Sequence, residues 1–437
     1  MSKVFARTQS VCPVCLRVIE ARKAVGDDGF IHLEKTCPEH GDFDALIWEG
    51  GVVDYLKWDT SSAQPDTPPA ARSVKDGCPY DCGLCSAHER PGCCVLLELT
   101  NRCNLKCPVC FASAGSAEPR DLTMDAIAAQ YDMLMSRGGP FNIQLSGGEP
   151  TVRDDLPEII ALGREKGFSF FQLNTNGLRL AHEEGYAETL RAAGASCAFL
   201  QFDGVSEGPY ETLRGAPLLK TKLRAVESCA AAGLPVVLVP TVAPGVNDGE
   251  LGAILRFALD HAPAVRGVHF QPVSYFGRCA LEAPVNRLTI PHMLRLIEEQ
   301  TEGAMSASDF GGGGAESPYC SFHASYMRSE RGELRALPRR RSQCCCVKSS
   351  EARSFVSERW GSSGAELPEN ADELDVFLAK AVENTFTVSG MLFQDAYTLD
   401  LDRLRRCYIC EADGERGMVP FCAYNLTDTN GRPLYRK

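Results

Sequence analysis

The apolar run VLLELT (95–100) passes without a break into NRCNLKCPVC (101–110). Cys103, Cys107 and Cys110 stand there as C-x3-C-x2-C, in the loop that a strand over 95–100 delivers at its C-terminal end. In βα folds that end of the strands carries the chemistry. Thiolates are soft ligands and suit iron–sulfur clusters or zinc. A closed structural site wants a fourth ligand, so three cysteines leave one metal corner open.

Outward from this loop, NIQLSGG (142–148), FSFFQLNTNG (168–177), CAFLQFDG (197–204), PVVLVPTVA (235–243) and VHFQPVSY (268–275) read as further buried parallel strands. Helical patterns separate them. In TMDAIAAQYDMLMSRGG, Met124, Ile127, Tyr131, Leu134 and Met135 fall on one face, and Gly138 with Gly139 stops the helix. DLPEIIALGREKG, YAETLRAAG, KTKLRAVESCAAAG and GELGAILRFALDH repeat the pattern. Six strand–helix units in series predict an α/β fold, either a parallel barrel or a doubly wound sheet.

Composition narrows the function. The chain has 437 residues, 44 % of them hydrophobic, enough for a sizeable core. A net charge of −12 opposes a nucleic-acid partner. No apolar run approaches the ~18 residues of a membrane span, and MSKVFARTQSVCPVC lacks the apolar segment of a secretory signal. The expected location is the cytoplasm, where the 21 cysteines point to metal chemistry rather than disulfides.

The cysteine motif after the first strand, followed by SGGEP (146–150) after the second, resembles the radical S-adenosylmethionine (SAM) superfamily over about residues 94–275. The resemblance implies a partial (β/α)6 barrel. It implies a [4Fe–4S] cluster on Cys103, Cys107 and Cys110, whose open iron binds SAM and cleaves it reductively to a 5′-deoxyadenosyl radical. It assigns Gly147, Gly148 and Glu149 to the methionine ammonium, and Asn174, Asn176 and Gln201 to the ribose and carboxylate. Arg214 is expected as a carboxylate partner. Members of the superfamily often place an aromatic before the third cysteine. Here Val109 holds that place, and Phe111 follows the cysteine.

The other cysteines cluster at both ends. CPYDCGLC gives Cys78, Cys82 and Cys85, again as C-x3-C-x2-C. With Cys93, favoured over Cys94 and His88, they form a closed set for an auxiliary [4Fe–4S] cluster. CPVC (12–15) and CPEHG (37–41) resemble a zinc ribbon or rubredoxin-like knuckle. Cys12, Cys15 and Cys37 there are the expected ligands of one Zn or Fe, with His40 or a distant cysteine as fourth ligand. In the C-terminal region, Cys320, Cys346 from the run 344–346, Cys407 and Cys422 are expected to hold a second auxiliary cluster. Cys410 is a substitute, and the turn ADGERG brings Cys407 and Cys422 together. Cys197, Cys229 and Cys279 read as packing residues. The expected layout is a knuckle at 1–60, a linker at 61–77, an auxiliary segment at 78–94, the barrel at 95–300 and a second cluster region at 301–437.

This order of features, ending in PFCAYN, resembles the family of tetraether lipid synthase. It implies C–C bond formation or alkyl modification on a lipid-like substrate, as a transferase supplied with electrons by a flavodoxin or ferredoxin. Phe270, Tyr275 and Phe276 would line a tunnel for the chain. CYIC (407–410) and the triple cysteine run depart from that family. Two alternatives stay open, radical SAM modification of a pterin or peptide, and a multi-cluster electron-transfer protein.

Overall fold

The computed structural model describes residues 3–59, 73–83, 85–115, 118–282, 287–313, 316–329, 331–338, 349–361 and 372–436. The expected ligand Cys346 lies outside them, with Cys344 and Cys345.

The first four strands, β1 (Lys3–Val11), β2 (Val18–Val25), β3 (Ile31–Cys37) and β4 (Gly41–Trp48), form an antiparallel ribbon in sequence order. Its two short turns, 12–17 and 38–40, lie at one end and carry the CPVC and CPEHG motifs.

All six expected central strands form. They are β5 (Cys94–Glu98), β7 (Asn142–Ser146), β8 (Phe171–Thr175), β9 (Cys197–Gln201), β10 (Val236–Val239) and β12 (Val265–Pro272). They neighbour one another in that order, every pair parallel. Between them, the two-residue β6 (Val109–Cys110) leaves the cysteine loop, and β11 (Thr241–Val242) continues β10 to pair with β12. β13 (Arg278–Cys279) pairs antiparallel with β6, tying the loop to the chain beyond β12.

The C-terminal region then extends both edges of this sheet. β16 (Thr385–Met391) adds parallel to β12 and is backed by antiparallel β14 (Ser321–Arg328) and β15 (Leu334–Ala336). β17 (Ile409–Asp413) adds parallel to β5, with β18 (Gly417–Pro420) as its hairpin partner. Strands from 301–437 therefore complete the barrel sheet instead of standing apart from it, and they cover edges that would otherwise expose unpaired backbone.

The two faces of the sheet differ in chemistry. Val95, Leu97, Ile143, Leu145, Phe171, Leu173, Leu200 and Leu238 point outward into one core with Ile127, Tyr131, Ile159, Leu190 and Leu255 of the helices. The first helix, Met124–Ser136, starts as its sequence dictates, with Thr123 Oγ1 accepting from the Ala126 amide at 3.2 Å. Alternate residues point inward. Register sets Glu411 and Gln144 beside Leu96, Gln172 beside Gln144, and His269 beside Ser389. Glu98, Asn174 and Gln201 share that inner face, two residues on from Leu96, Gln172 and Phe199. Central parallel strands are ordinarily apolar on both faces. Here the inner face is largely polar, and Gln144, Asn174, Gln201 and His269 are only half-buried. The helix Ser349–Trp360 closes its lower end, where Trp360 packs with Phe170, Cys197 and Val237.

Among the described residues no helix is long and apolar enough to cross a membrane.

Candidate active site and metal centres

The cysteine loop begins at the C-terminal end of β5, above the polar face. Cys103, Cys107 and Cys110 lie within electrostatic reach of one another, and burial pushes Cys103 up to about 12 and Cys107 up from its ordinary value. The loop is pinned from several sides. Arg278 Nε donates to Cys107 O at 2.8 Å, the Ala280 amide to Pro108 O at 3.1 Å, and Arg214 Nη1 to Val109 O at 3.1 Å. Three thiols on a loop held this firmly, beside a polar cavity face, fit a cluster with one corner left for a small ligand.

The glycines of SGGEP act on the loop itself. The Gly148 amide donates to Thr100 O at 2.7 Å and the Glu149 amide to Arg102 O at 2.9 Å. A Cβ on Gly147 would stand 2.3 Å from Thr100 O, and one on Gly148 2.2 Å from Arg102 O. Only glycine permits this approach, and Gly147 also has φ +138°. Glu149 is 2 % exposed. Its carboxylate accepts from the Thr151 amide at 3.1 Å and, at 2.7 Å each, from Thr151 Oγ1, Thr175 Oγ1 and the Asn176 amide. Burial still raises its pKa. SGGEP thus bridges the cysteine loop and the end of β8.

The remaining expected SAM residues surround the same end. Asn176 Nδ2 donates to Asn104 Oδ1 of the cysteine loop at 2.7 Å. Asn174 accepts from Gln172 Nε2 at 2.7 Å and reaches Gln144 at 3.4 Å, and Gln201 accepts from Lys222 Nζ at 3.2 Å. Arg214, expected as a carboxylate partner, is paired within the chain. Its Nε and Nη2 form a bidentate pair, 2.7 Å each, with fully buried Asp203, and Nη2 also meets Thr241 Oγ1 at 2.8 Å. With Nη1 on Val109 O, this arginine positions the third cysteine.

Asp203, Lys222 and Arg278 escaped the sequence reading. Lys222 is fully buried, its Nζ 2.5 Å from Asn176 O, and burial lowers its pKa to about 8. Helical spacing could have flagged it, since a lysine falls on the apolar side of the helix Leu219–Ala231. Nothing in the spacing of FGRC linked Arg278 to the cysteine loop.

In the ribbon, Cys12, Cys15, Cys37 and His40 place their ligand atoms within 4.8 Å of one another, four donors of the kind that bind one zinc or iron ion. His40 Nδ1 lies 3.6 Å from Cys12 Sγ and 3.4 Å from Cys37 Sγ. His40, rather than a distant cysteine, completes the set.

Cys78, Cys82 and Cys85 line one small cavity with His88, Leu404, Arg405 and Pro420. Cys93, expected as fourth ligand, is not brought to this cavity. Cys93 sits in a different apolar cluster with Cys94 and Tyr408, its Sγ 3.7 Å from that of Cys94, and its amide is fixed to Tyr408 O at 2.8 Å. His88, the other candidate, lines the cavity with the three thiols. Burial lowers the imidazole to about 4, keeping it neutral as a ligand must be, and its Nε2 lies 3.0 Å from Cys407 O.

Cys407 and Cys422 do come together across the β17–β18 hairpin, and Cys320 joins them. Each influences the others electrostatically, and burial pushes Cys407 up to about 12. Arg403 Nη2 donates to Cys320 Sγ at 3.3 Å and the Gln394 amide to Cys422 Sγ at 3.3 Å. Cys410 and Cys229 point into the main core, and Cys197 packs in the smaller cluster with Phe170, Val237 and Trp360.

The Radical SAM superfamily description matches residues 97–258, and the HMPTM N-terminal zinc ribbon domain matches residues 4–49. The chain is 35 % identical to 7,8-dihydro-6-hydroxymethylpterin dimethyltransferase of Methanocaldococcus jannaschii, over 96 % of this chain and 93 % of that one. It is 31 % identical to GTP 3′,8-cyclase of Paenarthrobacter nicotinovorans, over 47 % of this chain and 57 % of the cyclase. Among solved structures it is similar to Streptococcus suis SuiB bound to precursor peptide SuiA, with a TM-score of 0.41 and 13 % identity, covering 48 % of this chain and 46 % of that one. The near full-length likeness is to a pterin enzyme, where the sequence resemblance pointed to tetraether lipid synthase. At that identity and coverage, the chain belongs to the radical SAM enzyme family of 7,8-dihydro-6-hydroxymethylpterin dimethyltransferase.

Proposed function

We propose that this protein is a radical SAM methyltransferase whose substrate is a reduced pterin or a similarly small, polar, bicyclic heterocycle. The observation that carries this reading is the polar inner face of the sheet. Gln144, Gln172 and His269 project from its central strands beneath the cysteine loop, below the Asn174 and Gln201 assigned to SAM. Such a wall offers paired donors and acceptors, which a ring bearing amino, oxo and imino groups satisfies and a hydrocarbon chain leaves desolvated. The expected lipid liners have other work. Phe270 is buried in the main core, Phe276 packs in an aromatic cluster with Phe393 and Phe421, and Tyr275 lies under the Arg287 guanidinium at 5.1 Å.

Cys103, Cys107 and Cys110 would hold the [4Fe–4S] cluster that, with SAM, supplies the 5′-deoxyadenosyl radical for C–H activation. Gly147, Gly148 and Glu149 fix the loop that presents it. Asn174, Asn176 and Gln201 stand where the nucleoside and carboxylate of SAM would be held. Cys78, Cys82, Cys85 and His88, and Cys320, Cys407 and Cys422 with one further ligand, are the proposed auxiliary cluster sites. The ribbon set takes one zinc or iron, and a flavodoxin or ferredoxin supplies the electron.

The test is anaerobic reconstitution followed by incubation with SAM, a low-potential reductant and 6-hydroxymethyl-7,8-dihydropterin. The expected result is 5′-deoxyadenosine formation stimulated by the pterin, with product masses raised by one or two methyl groups. A pterin that neither stimulates SAM cleavage nor changes mass overturns the reading.

A further inference from the structure

Glu411 is fully buried in β17, and neither carboxylate oxygen has a partner of good hydrogen-bonding geometry among the described residues, although the Asn425 side chain and the Arg436 guanidinium stand near enough to favour its charged form. Buried polar groups in folded proteins are nearly always satisfied, so an orphaned carboxylate asks for a ligand. Its place is informative. Register puts Glu411 beside Leu96 of β5, and Glu98 follows two residues on, facing the same way at the end that leads into the cysteine loop. Two carboxylates therefore stand together at the chemical end of the sheet, on its inner face. Burial and the neighbouring Glu98 both hold Glu411 well above the ordinary carboxylate pKa.

The group now beside this pair is a guanidinium. Arg436 Nη1 is paired with Glu98 Oε1, its Nη2 donates to Asn425 Oδ1 at 2.5 Å, and its Nε has no partner among the described residues. The planar head lies 5.7 Å from the Phe111 ring and 5.2 Å from the Tyr424 ring. Phe111 directly follows the cluster residue Cys110 and is 38 % exposed, while Tyr424 Oη donates to Glu98 Oε2 at 3.3 Å. A flat cation with parallel N–H donors thus rests between carboxylate acceptors and aromatic faces, next to the third cysteine.

We propose that Glu411 and Glu98 form the subsite that reads the 2-amino and N3–H edge of a pterin, with Phe111 and Tyr424 as its aromatic walls, and that Arg436 holds the subsite until substrate displaces it. The inference rests on the pterin reading above and adds the residues that recognise the ring. The 2-amino–N3–H edge is a cyclic guanidine. It offers a carboxylate the same two parallel donors as an arginine, and a bidentate contact of this kind is both strong and orientation-specific. Acceptance at that edge points the opposite side of the ring system away from the acid pair. Phe111 keeps the stacked ring beside the cysteine loop.

The experiment measures equilibrium binding to the anaerobically reconstituted holoenzyme of two ligands, 6-hydroxymethyl-7,8-dihydropterin and its lumazine counterpart, which carries oxo in place of the 2-amino group. Wild type should prefer the pterin by about 10- to 100-fold, the worth of one charge-assisted hydrogen bond or two. Glu411→Gln should abolish most of that preference by weakening pterin alone, whereas a general loss of structure would weaken both ligands alike. Arg436→Ala tests the subsite from the other side and should tighten pterin binding by removing the competing guanidinium. A wild type indifferent between the ligands overturns the pterin reading and this inference with it. A wild type that prefers pterin, with the preference unchanged in Glu411→Gln, overturns the subsite alone. Weaker pterin binding in Arg436→Ala overturns the displacement.

Discussion

Replacing Arg214 by Met should dismantle the SAM-cluster loop while sparing the other metal sites. Arg214 and Asp203 are 6 % and 0 % exposed and joined by two 2.7 Å hydrogen bonds. The change leaves Asp203 with the Thr241 amide, at 3.0 Å, as its hydrogen-bond donor. Breaking a buried pair from one side costs about 3–5 kcal/mol, because a charge stays in the interior uncompensated. For a unit of about 200 residues, each kcal/mol lowers the melting temperature by about 2–4 °C, so the shift is of order 10 °C. The Val109 carbonyl also loses its anchor, one residue before Cys110. Iron analysis and calorimetry of anaerobic protein give the readout, with about four irons per chain lost and the ribbon metal retained. Removing both charges, as Asp203→Leu with Arg214→Met, should restore part of the stability, since the cost lies in the orphaned carboxylate. An Arg214→Met protein with full iron and a melting point within about 2 °C of wild type, judged on the same scale, would refute the argument.

Three further outcomes follow from the same geometry. Cys103, Cys107 and Cys110 replaced together by Ala should abolish 5′-deoxyadenosine formation and remove about four irons, leaving the auxiliary iron in place; continued SAM cleavage would contradict the site. Cys93→Ser should leave total iron unchanged, whereas His88→Ala should lower it by about one cluster; the reverse pattern would return Cys93 to the ligand set. Lys222 has a folded pKa of about 8 against about 10.5 unfolded, so between those values the unfolded chain binds more protons and stability rises with pH. Denaturant titrations from pH 8 to 10.5 should show wild type gaining about 3 kcal/mol relative to Lys222→Met, and parallel curves would show that burial does not neutralise the lysine.

What the sequence made legible was what periodicity and local spacing encode. The six apolar runs became parallel strands in order, because a strand buried against helices must read as near-continuous Val, Leu, Ile and Phe on one face. C-x2-C and C-x3-C-x2-C were readable because one short turn sets their geometry. The edge strands were not. β16 (TFTVSGM) lacks the apolar run of a buried strand, and β17 (ICEAD) interrupts its pattern with Glu411. The placement of Cys93 was not legible because nearness in sequence says nothing about side. The ladder that seats Cys94 as the first residue of β5 carries its neighbour away from Cys78, Cys82 and Cys85. The role of Arg214 was hidden because its partner Asp203 lies eleven residues away, across the end of β9.

The ribbon shows how far such long-range contacts reach. Lys23 of β2 pairs with buried Asp400 at 2.7 Å, and Thr8 of β1 donates to the same carboxylate at 2.7 Å. Lys35 of β3, 4 % exposed, donates to Ala396 O at 2.7 Å. All three grip the stretch 394–403. That stretch gives the Gln394 amide to Cys422 and the Arg403 guanidinium to Cys320. Metal bound in the ribbon would fix the turns at 12–15 and 37–40; Lys35 and Thr8 lie toward those turns, two and four residues before Cys37 and Cys12, while Lys23 lies toward the other end of β2. The sulfurs of the C-terminal cysteine set therefore depend for two of their donors on a segment the ribbon holds. Cys37→Ala should accordingly release the ribbon metal and also lower iron at the Cys320, Cys407 and Cys422 site, read as a second, smaller loss in the metal analysis. Loss of the ribbon metal alone, with iron unchanged, would show that the two ends of the chain hold their metals independently.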